Sequence, residues 1–298
     1  MQYAQLSHVK MAYEVYGDET LPPVLMIMGL GMSYHAWPKE LLSLLQRKGL
    51  RLILADSRDS GSSTHFSDIP DVPSVPIAIG RAILRLPVNA PYTLEDMALD
   101  YAELLDALDI KRAHIVGASL GGMIAQVLTT IRPSKVNSLT SIMSASGNPR
   151  TGFGKVKAVY SLMMHPSDPT DVRQLESHYA YMFRKLKSPN YSYDPQVMQK
   201  MISEVARGGF DAEASERQLL AILASGDRSE QLTRITAPSL IIHGEDDPLL
   251  PYAAGKELTD LIPNSELKLF KNMGHDLPPC YLEEMADAIA SHIWSAEN

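Results

Sequence analysis

Residues Gly117-Ala118-Ser119-Leu120-Gly121 constrain this chain more than any other stretch, because of what stands on either side of them. Ahead of them, Ala113-His114-Ile115-Val116 is a short apolar run of the kind that forms a strand buried on both faces of a parallel sheet. Behind them, Gly122-Met123-Ile124-Ala125-Gln126-Val127-Leu128 predicts a helix that stops before Pro133. Turning a strand into a helix this abruptly puts the central serine in a strained backbone conformation and demands small neighbours. Its hydroxyl then stands clear of the sheet at a helix N-terminus, where backbone N–H groups favour negative charge. The plain alternative is a glycine-rich turn with no chemistry, and the rest of the chain decides between the two.

An acid and a base both follow. Pro238-Ser239-Leu240-Ile241-Ile242-His243-Gly244 reads as another buried strand, and Glu245-Asp246-Asp247 comes directly after it. The carboxyl end of a parallel strand is where an open α/β sheet places its ligands and chemistry. Ser265-Glu266-Leu267-Lys268-Leu269-Phe270 alternates like an outer strand, and the loop beyond it is Asn272-Met273-Gly274-His275-Asp276. A serine hydroxyl is a weak nucleophile at neutral pH and needs a base within hydrogen-bond reach, which His275 can supply; a carboxylate then holds the imidazole in the right tautomer. Among the nine histidines, His114 lies inside an apolar strand and reads as a satisfied core residue. His243 reads as structural or as a support to the acid loop, and His35 as a residue that could line the pocket. No pair has metal-ligand spacing such as H-E-x-x-H, and no phosphate-binding glycine loop follows a suitable strand, so neither a metal nor a cofactor is expected.

These motifs resemble the α/β-hydrolase family over nearly the whole chain. Gly117-Ala118-Ser119-Leu120-Gly121 is similar to its G-x-S-x-G elbow, His243-Gly244-Glu245-Asp246-Asp247 through Pro251 to its pattern H-G-x-x-D-x-x-x-P, and Gly274-His275 to its G-H loop. The order serine, acid, histidine is the one this family uses. Within the family the chain resembles bacterial carboxylesterases of the aclacinomycin methylesterase type, on Met28-Gly29-Leu30-Gly31-Met32 with Trp37-Pro38, and on Gly274-His275 with Pro278. The resemblance implies Ser119 as nucleophile, His275 as base and Asp247 as the acid, with the adjacent Asp246 as the alternative. Some relatives carry the acid after the preceding strand, but Ser144-Ala145-Ser146-Gly147-Asn148 holds no carboxylate. It further implies an oxyanion hole from the backbone N–H groups of Leu120 and Leu30, with Gly31 as the fallback for the second. Asp56 and Arg58, in a loop similar to the family's D-x-R-x-x-G-x-S, are expected to be structural. A serine at the elbow argues against epoxide hydrolases and haloalkane dehalogenases, which place an aspartate there.

Composition fits one large domain with an insertion. The chain has 298 residues, 45% hydrophobic and 21% charged, and a net charge of −8, ordinary for a globular protein. That balance argues against nucleic acid or an anionic membrane as a default partner. The expected core is 1–146 with 233–298, a mostly parallel sheet flanked by helices. Residues 147–232 are expected to form a helical cap, with helices over Lys155–Met164, Val172–Lys185, Pro195–Arg207 and Glu213–Ala224. Met163, Met164, Tyr179, Tyr181, Met182 and Phe183 could line an apolar pocket or form the cap's own core. Residues 66–92 carry five prolines and read either as a flap over the site mouth or as a surface insertion. Thr93 with Asp96 predicts a capping box, and Val9–Tyr16 before Gly17-Asp18 suggests an early hairpin. The single cysteine, Cys280, is expected to be buried filler. No signal peptide or membrane span is visible, which predicts a cytoplasmic protein; a monomer or homodimer acting on a small-molecule ester is expected. The expected activity is hydrolysis of small to medium apolar esters through an acyl-enzyme on Ser119. The same residues would also serve a thioesterase, a carbon–carbon bond hydrolase, a cofactor-free perhydrolase or a weakly catalytic ligand receptor.

Overall fold

A computed structural model describes residues 1–67 and 72–297; the part of the proline-rich insertion at 68–71 lies outside the described residues. Eight strands form one sheet: β1 (Gln2–Gln5), β2 (Lys10–Tyr16), β3 (Pro23–Ile27), β4 (Arg51–Ala55), β5 (Ala113–Ala118), β6 (Val136–Ile142), β7 (Ser239–Gly244) and β8 (Ser265–Phe270). Their spatial order is β1-β2-β4-β3-β5-β6-β7-β8. From β4 to β8 every pairing is parallel, while β2 runs antiparallel to both of its neighbours. The fold is that of an α/β-hydrolase.

The sheet is covered on both faces, as a parallel sheet must be. Along β3, Val24 and Met26 face one apolar cluster and Leu25 and Ile27 the other; β4 alternates in the same way with Leu52 and Leu54 against Ile53 and Ala55. Helices α1 (Lys39–Arg47) and, at the chain's end, α11 (Leu282–Glu297) cover the first face with Leu41, Leu45, Met285, Ile289 and Ile293, repeating at the four-residue spacing of a helix stripe. Helix α2 (Val75–Ile83) lies in the insertion. Helices α3 (Leu94–Ala107) and α4 (Leu120–Ile131) cover the second face, joined near the C-terminus by α10 (Tyr252–Leu261). Between β6 and β7 the chain inserts α5 (Val156–Ser161), α6 (Val172–Leu186), α7 (Pro195–Ala206), α8 (Ala212–Ser225) and the short α9 (Ser229–Leu232). Four of these overlap the expected helices; only the first is much shorter, ending at Ser161 instead of Met164.

Several local expectations meet their physical explanation here. Thr93 Oγ1 accepts from the N–H of Asp96 at 3.3 Å and Asp96 Oδ2 accepts from the N–H of Thr93 at 2.7 Å, a reciprocal box that starts α3. Asp56 accepts from the N–H groups of Tyr34 and Ser62, both at 2.8 Å. Arg58 grips Asp100 of α3 through Nε and Nη2, both at 2.7 Å. Arg217 of α8 grips Asp59 in the same manner at 2.9 and 2.8 Å, and Tyr92 adds a third bond to Asp59. Buried ion pairs thus tie α3 and the helical segment to one core loop, and the Tyr92 hydrogen bond ties the insertion to it.

Two expectations are corrected. The early hairpin does not form across Gly17-Asp18: β2 pairs back onto β1 through the turn at 6–9, and its other edge takes β4. Cys280 is exposed, not buried, because it sits in a single 3₁₀ turn, Pro279–Tyr281, just before α11.

Candidate active site

The elbow between β5 and α4 is built from close backbone contacts. Ser119 has φ 55° and ψ −117°, a conformation that costs a non-glycine residue about 1–3 kcal/mol. A Cβ on Gly117 would stand 2.1 Å from the carbonyl oxygen of Gly121, and one on Gly121 would stand 2.1 Å from that of Ile27. Both positions therefore accept only glycine. The serine backbone is pinned by its N–H to Ile142 O at 2.9 Å and by Ser144 Oγ donating to its carbonyl at 2.9 Å.

Three side chains from three loops meet at this point. Ser119 Oγ lies 2.9 Å from His275 Nε2, and His275 Nδ1 lies 2.8 Å from Asp247 Oδ2. Asp247 is itself fixed, since its Oδ1 accepts from the N–H groups of Leu249 at 2.8 Å and Leu250 at 2.9 Å. All three loops leave the carboxyl ends of parallel strands β5, β7 and β8, so the sheet register sets their separation. Such a file can take a proton from the serine and hold the imidazolium that results.

Asp246 points elsewhere. Its Oδ2 accepts from Ser188 Oγ at 2.7 Å and Asn190 Nδ2 at 2.8 Å, and those donors hold its carboxyl below the ordinary value. His243 is fully buried, its Nε2 2.8 Å from Leu250 O and 3.6 Å from Asp247 Oδ2. It braces the turn that carries Asp247. Burial pushes its pKa down, which keeps the ring neutral.

Two residues that sequence reasoning missed belong to the site's support. Asp276, next to His275, is buried, and its Oδ2 accepts from Tyr193 Oη at 2.5 Å while Oδ1 accepts from the N–H of Gly274 at 3.1 Å. Burial pushes its carboxyl up to about 6. The N–H of His275 donates to Leu186 O at 2.8 Å. Residues 186–193 therefore contact both the acid loop and the histidine loop. The adjacency of Asp276 to His275 was the only signal in the sequence, since Tyr193 is distant along the chain.

The two expected oxyanion residues, Leu30 and Leu120, line the same cavity as Ser119. Gly29 abuts the serine, a Cβ there lying 3.3 Å from Ser119 Cβ. The N–H of Gly31 donates to Gln218 Oε1 at 2.8 Å, which removes it as the fallback donor. The cavity measures about 740 Å³. Of the six expected apolar residues, Tyr179, Met182 and Phe183 line it; Met163, Met164 and Tyr181 do not, and His35 does. Among the described residues, no group of three or more His, Cys, Asp or Glu is placed to hold a metal.

A family model described as alpha/beta hydrolase fold matches residues 22–278. The chain belongs to the α/β-hydrolase family. Among its curated relatives is rhodomycin D methylesterase DauP of Streptomyces sp. (strain C5), 28% identical over 303 residues that cover 95% of this chain and 94% of the relative. Another is 3-oxoadipate enol-lactonase 2 of Acinetobacter baylyi, 24% identical over 264 residues covering 88% and 85%. Among solved α/β-hydrolases, an esterase from Exiguobacterium antarcticum superposes with a TM-score of 0.75 at 21% identity, covering 98% of each chain, and so shares the fold.

Proposed function

We propose that the protein is a serine hydrolase that cleaves carboxylic esters of small to medium apolar substrates through an acyl-enzyme on Ser119. The observation that carries this reading is the hydrogen-bonded file Ser119–His275–Asp247 on the wall of a large apolar cavity. Ser119 Oγ attacks the acyl carbonyl as its proton passes to His275 Nε2, and the carbonyl oxygen becomes an oxyanion facing the N–H groups of Leu120 and Leu30. The imidazolium, held by Asp247, protonates the departing alcohol. Water, deprotonated by the same Nε2, then attacks the acyl-serine; the acid leaves and Ser119 regains its proton. Residues 147–232 act as the cap, with Tyr179, Met182, Phe183 and Leu186 of α6 as the apolar wall.

The relatives support ester-type chemistry, since a methylesterase and an enol-lactonase both open a carbon–oxygen acyl bond. Initial rates on p-nitrophenyl esters of increasing chain length, wild type beside Ser119→Ala, test the proposal. Turnover that falls by a factor on the order of 10⁶ in the variant is expected. A well-folded protein without turnover on any ester would instead favour carbon–carbon cleavage, perhydrolysis or ligand sensing.

A further inference from the structure

Two segments that reach the cavity differ in charge from the rest of the chain. Residues 72–94 contain Arg81 and Arg85, residues 149–166 contain Arg150, Lys155 and Lys157, and neither holds an Asp or Glu, in a chain of net charge −8. Ala82, Arg85 and Leu86 line the cavity from the first segment, Gly152, Phe153 and Val159 from the second. Elsewhere the lining is mixed in charge: Lys39 pairs with Glu204 at 2.7 Å, Lys200 is the other cation, and Glu40, Asp227 and the buried Asp276 are the other acids.

Both segments also expose large apolar side chains. Ile77 is 59% exposed, Ile83 54%, Leu84 71%, Val156 83% and Tyr160 54%. In α2, Val75 and Ala78 face inward, while Ile77, Arg81 and Leu84 share the outward face at helical spacing. The helix closes at Arg85, which takes φ 56°, with the N–H of Leu86 donating to Arg81 O at 2.8 Å. Apolar residues scattered singly over a surface are ordinary; apolar residues gathered with cations beside a cavity mark an interaction face.

We propose that this face docks the protein on a lipid–water surface carrying anionic headgroups, so that esters held in that surface pass directly into the cavity. The substrate half of this rests on the esterase reading; the docking half does not need Ser119. The chain's overall negative charge opposes such a surface only at long range, because physiological salt screens beyond about 8 Å. Within that range the cations of the two segments act directly, each that reaches a headgroup strengthening binding about fivefold. A second copy of the chain fits the face less well, since a two-fold contact would set these cations against their own counterparts.

Co-sedimentation of the full chain carrying Ser119→Ala with vesicles tests the docking apart from the chemistry. Binding to phosphatidylcholine vesicles containing phosphatidylglycerol is expected, with little to phosphatidylcholine alone, and weakening as salt rises. Lys155→Gln with Lys157→Gln should weaken it about 25-fold, and Leu84→Ser about tenfold or more. None of these residues lines the cavity, so each change, made in the otherwise wild-type enzyme, should leave hydrolysis of monomeric p-nitrophenyl butyrate unaltered. Equal binding to both vesicle types, no binding to either, or a dimer in sedimentation velocity that Leu84→Ser dissolves would each overturn the proposal. Absent ester hydrolysis with intact vesicle binding would overturn the esterase reading alone.

Discussion

Asp247→Asn is the substitution whose outcome the geometry constrains most tightly. Asp247 Oδ1 accepts two backbone N–H groups, from Leu249 and Leu250, while Oδ2 faces His275 Nδ1. An asparagine has one acceptor oxygen and one donor nitrogen. Turning the nitrogen toward Leu249 and Leu250 would leave two buried donors facing a donor, at about 1–3 kcal/mol for each unmet group. The amide therefore keeps its oxygen on the backbone side and presents its NH₂ to His275. The ring must then carry its lone pair on Nδ1 and its proton on Nε2, 2.9 Å from Ser119 Oγ, where it can no longer accept the serine's proton. The expected loss in kcat is ~10⁴-fold, about 5 kcal/mol of barrier, with a Tm close to wild type because shape and hydrogen bonds are preserved. The assay is kcat and KM on p-nitrophenyl butyrate at neutral pH with thermal unfolding alongside. Asp246→Asn is the control: its carboxylate meets Ser188 and Asn190, and kcat should change no more than severalfold. An Asp247→Asn enzyme within tenfold of wild type, or an Asp246→Asn enzyme that falls further, would refute the reasoning.

The remaining predictions concern the frame around the site. Gly121→Ala sets a Cβ 2.1 Å from Ile27 O and 2.7 Å from Met28 O, backbone that cannot yield, and should cost more than about 3 kcal/mol in denaturant unfolding; Gly80→Ala, with nothing within 4 Å in an exposed helix, should instead stabilise by up to about 1 kcal/mol. Arg58→Ala leaves Asp100 buried without its partner and should cost about 3–5 kcal/mol. The carboxyl of Asp276 is pushed up from 3.8 to about 6 by burial, so the folded chain holds its proton more tightly than the unfolded one, and this group lowers stability as pH rises through that window. Asp276→Asn should therefore gain about 1–3 kcal/mol at neutral pH relative to its effect near the ordinary carboxylate pKa; urea unfolding at the two pH values checks it, and an equal effect at both would contradict the assignment.

The sequence made the elbow and the order of the three site residues legible because each depends on local chemistry. Gly117 and Gly121 are fixed by contacts within one turn and with one neighbouring strand, and Ser119, Asp247 and His275 each follow a strand whose apolar run is visible. The choice between Asp246 and Asp247 was not fixed by composition, since both carboxylates sit in one turn and only its backbone path sends one to His275 and the other to Ser188 and Asn190. Tyr193 and Asp276 stayed hidden because their contact spans 83 positions and joins a loop of the inserted segment to the sheet edge. The misplaced hairpin has a similar cause: β2 presents two edges, and nothing in Val9–Tyr16 says which partner takes which. Cys280 shows the limit of reasoning from residue type alone, since cysteine is usually buried but here follows Pro279 in a surface turn.

The central claim is that Ser119 becomes covalently modified because His275 and Asp247 activate it. Treatment with a reactive organophosphonate, followed by intact-mass and peptide mass spectrometry, measures this directly. The account predicts one adduct per chain, on the peptide bearing Ser119, lost in Ser119→Ala and formed far more slowly in His275→Ala. A folded protein that takes no adduct, or takes it at Cys280 or another residue instead, would contradict it.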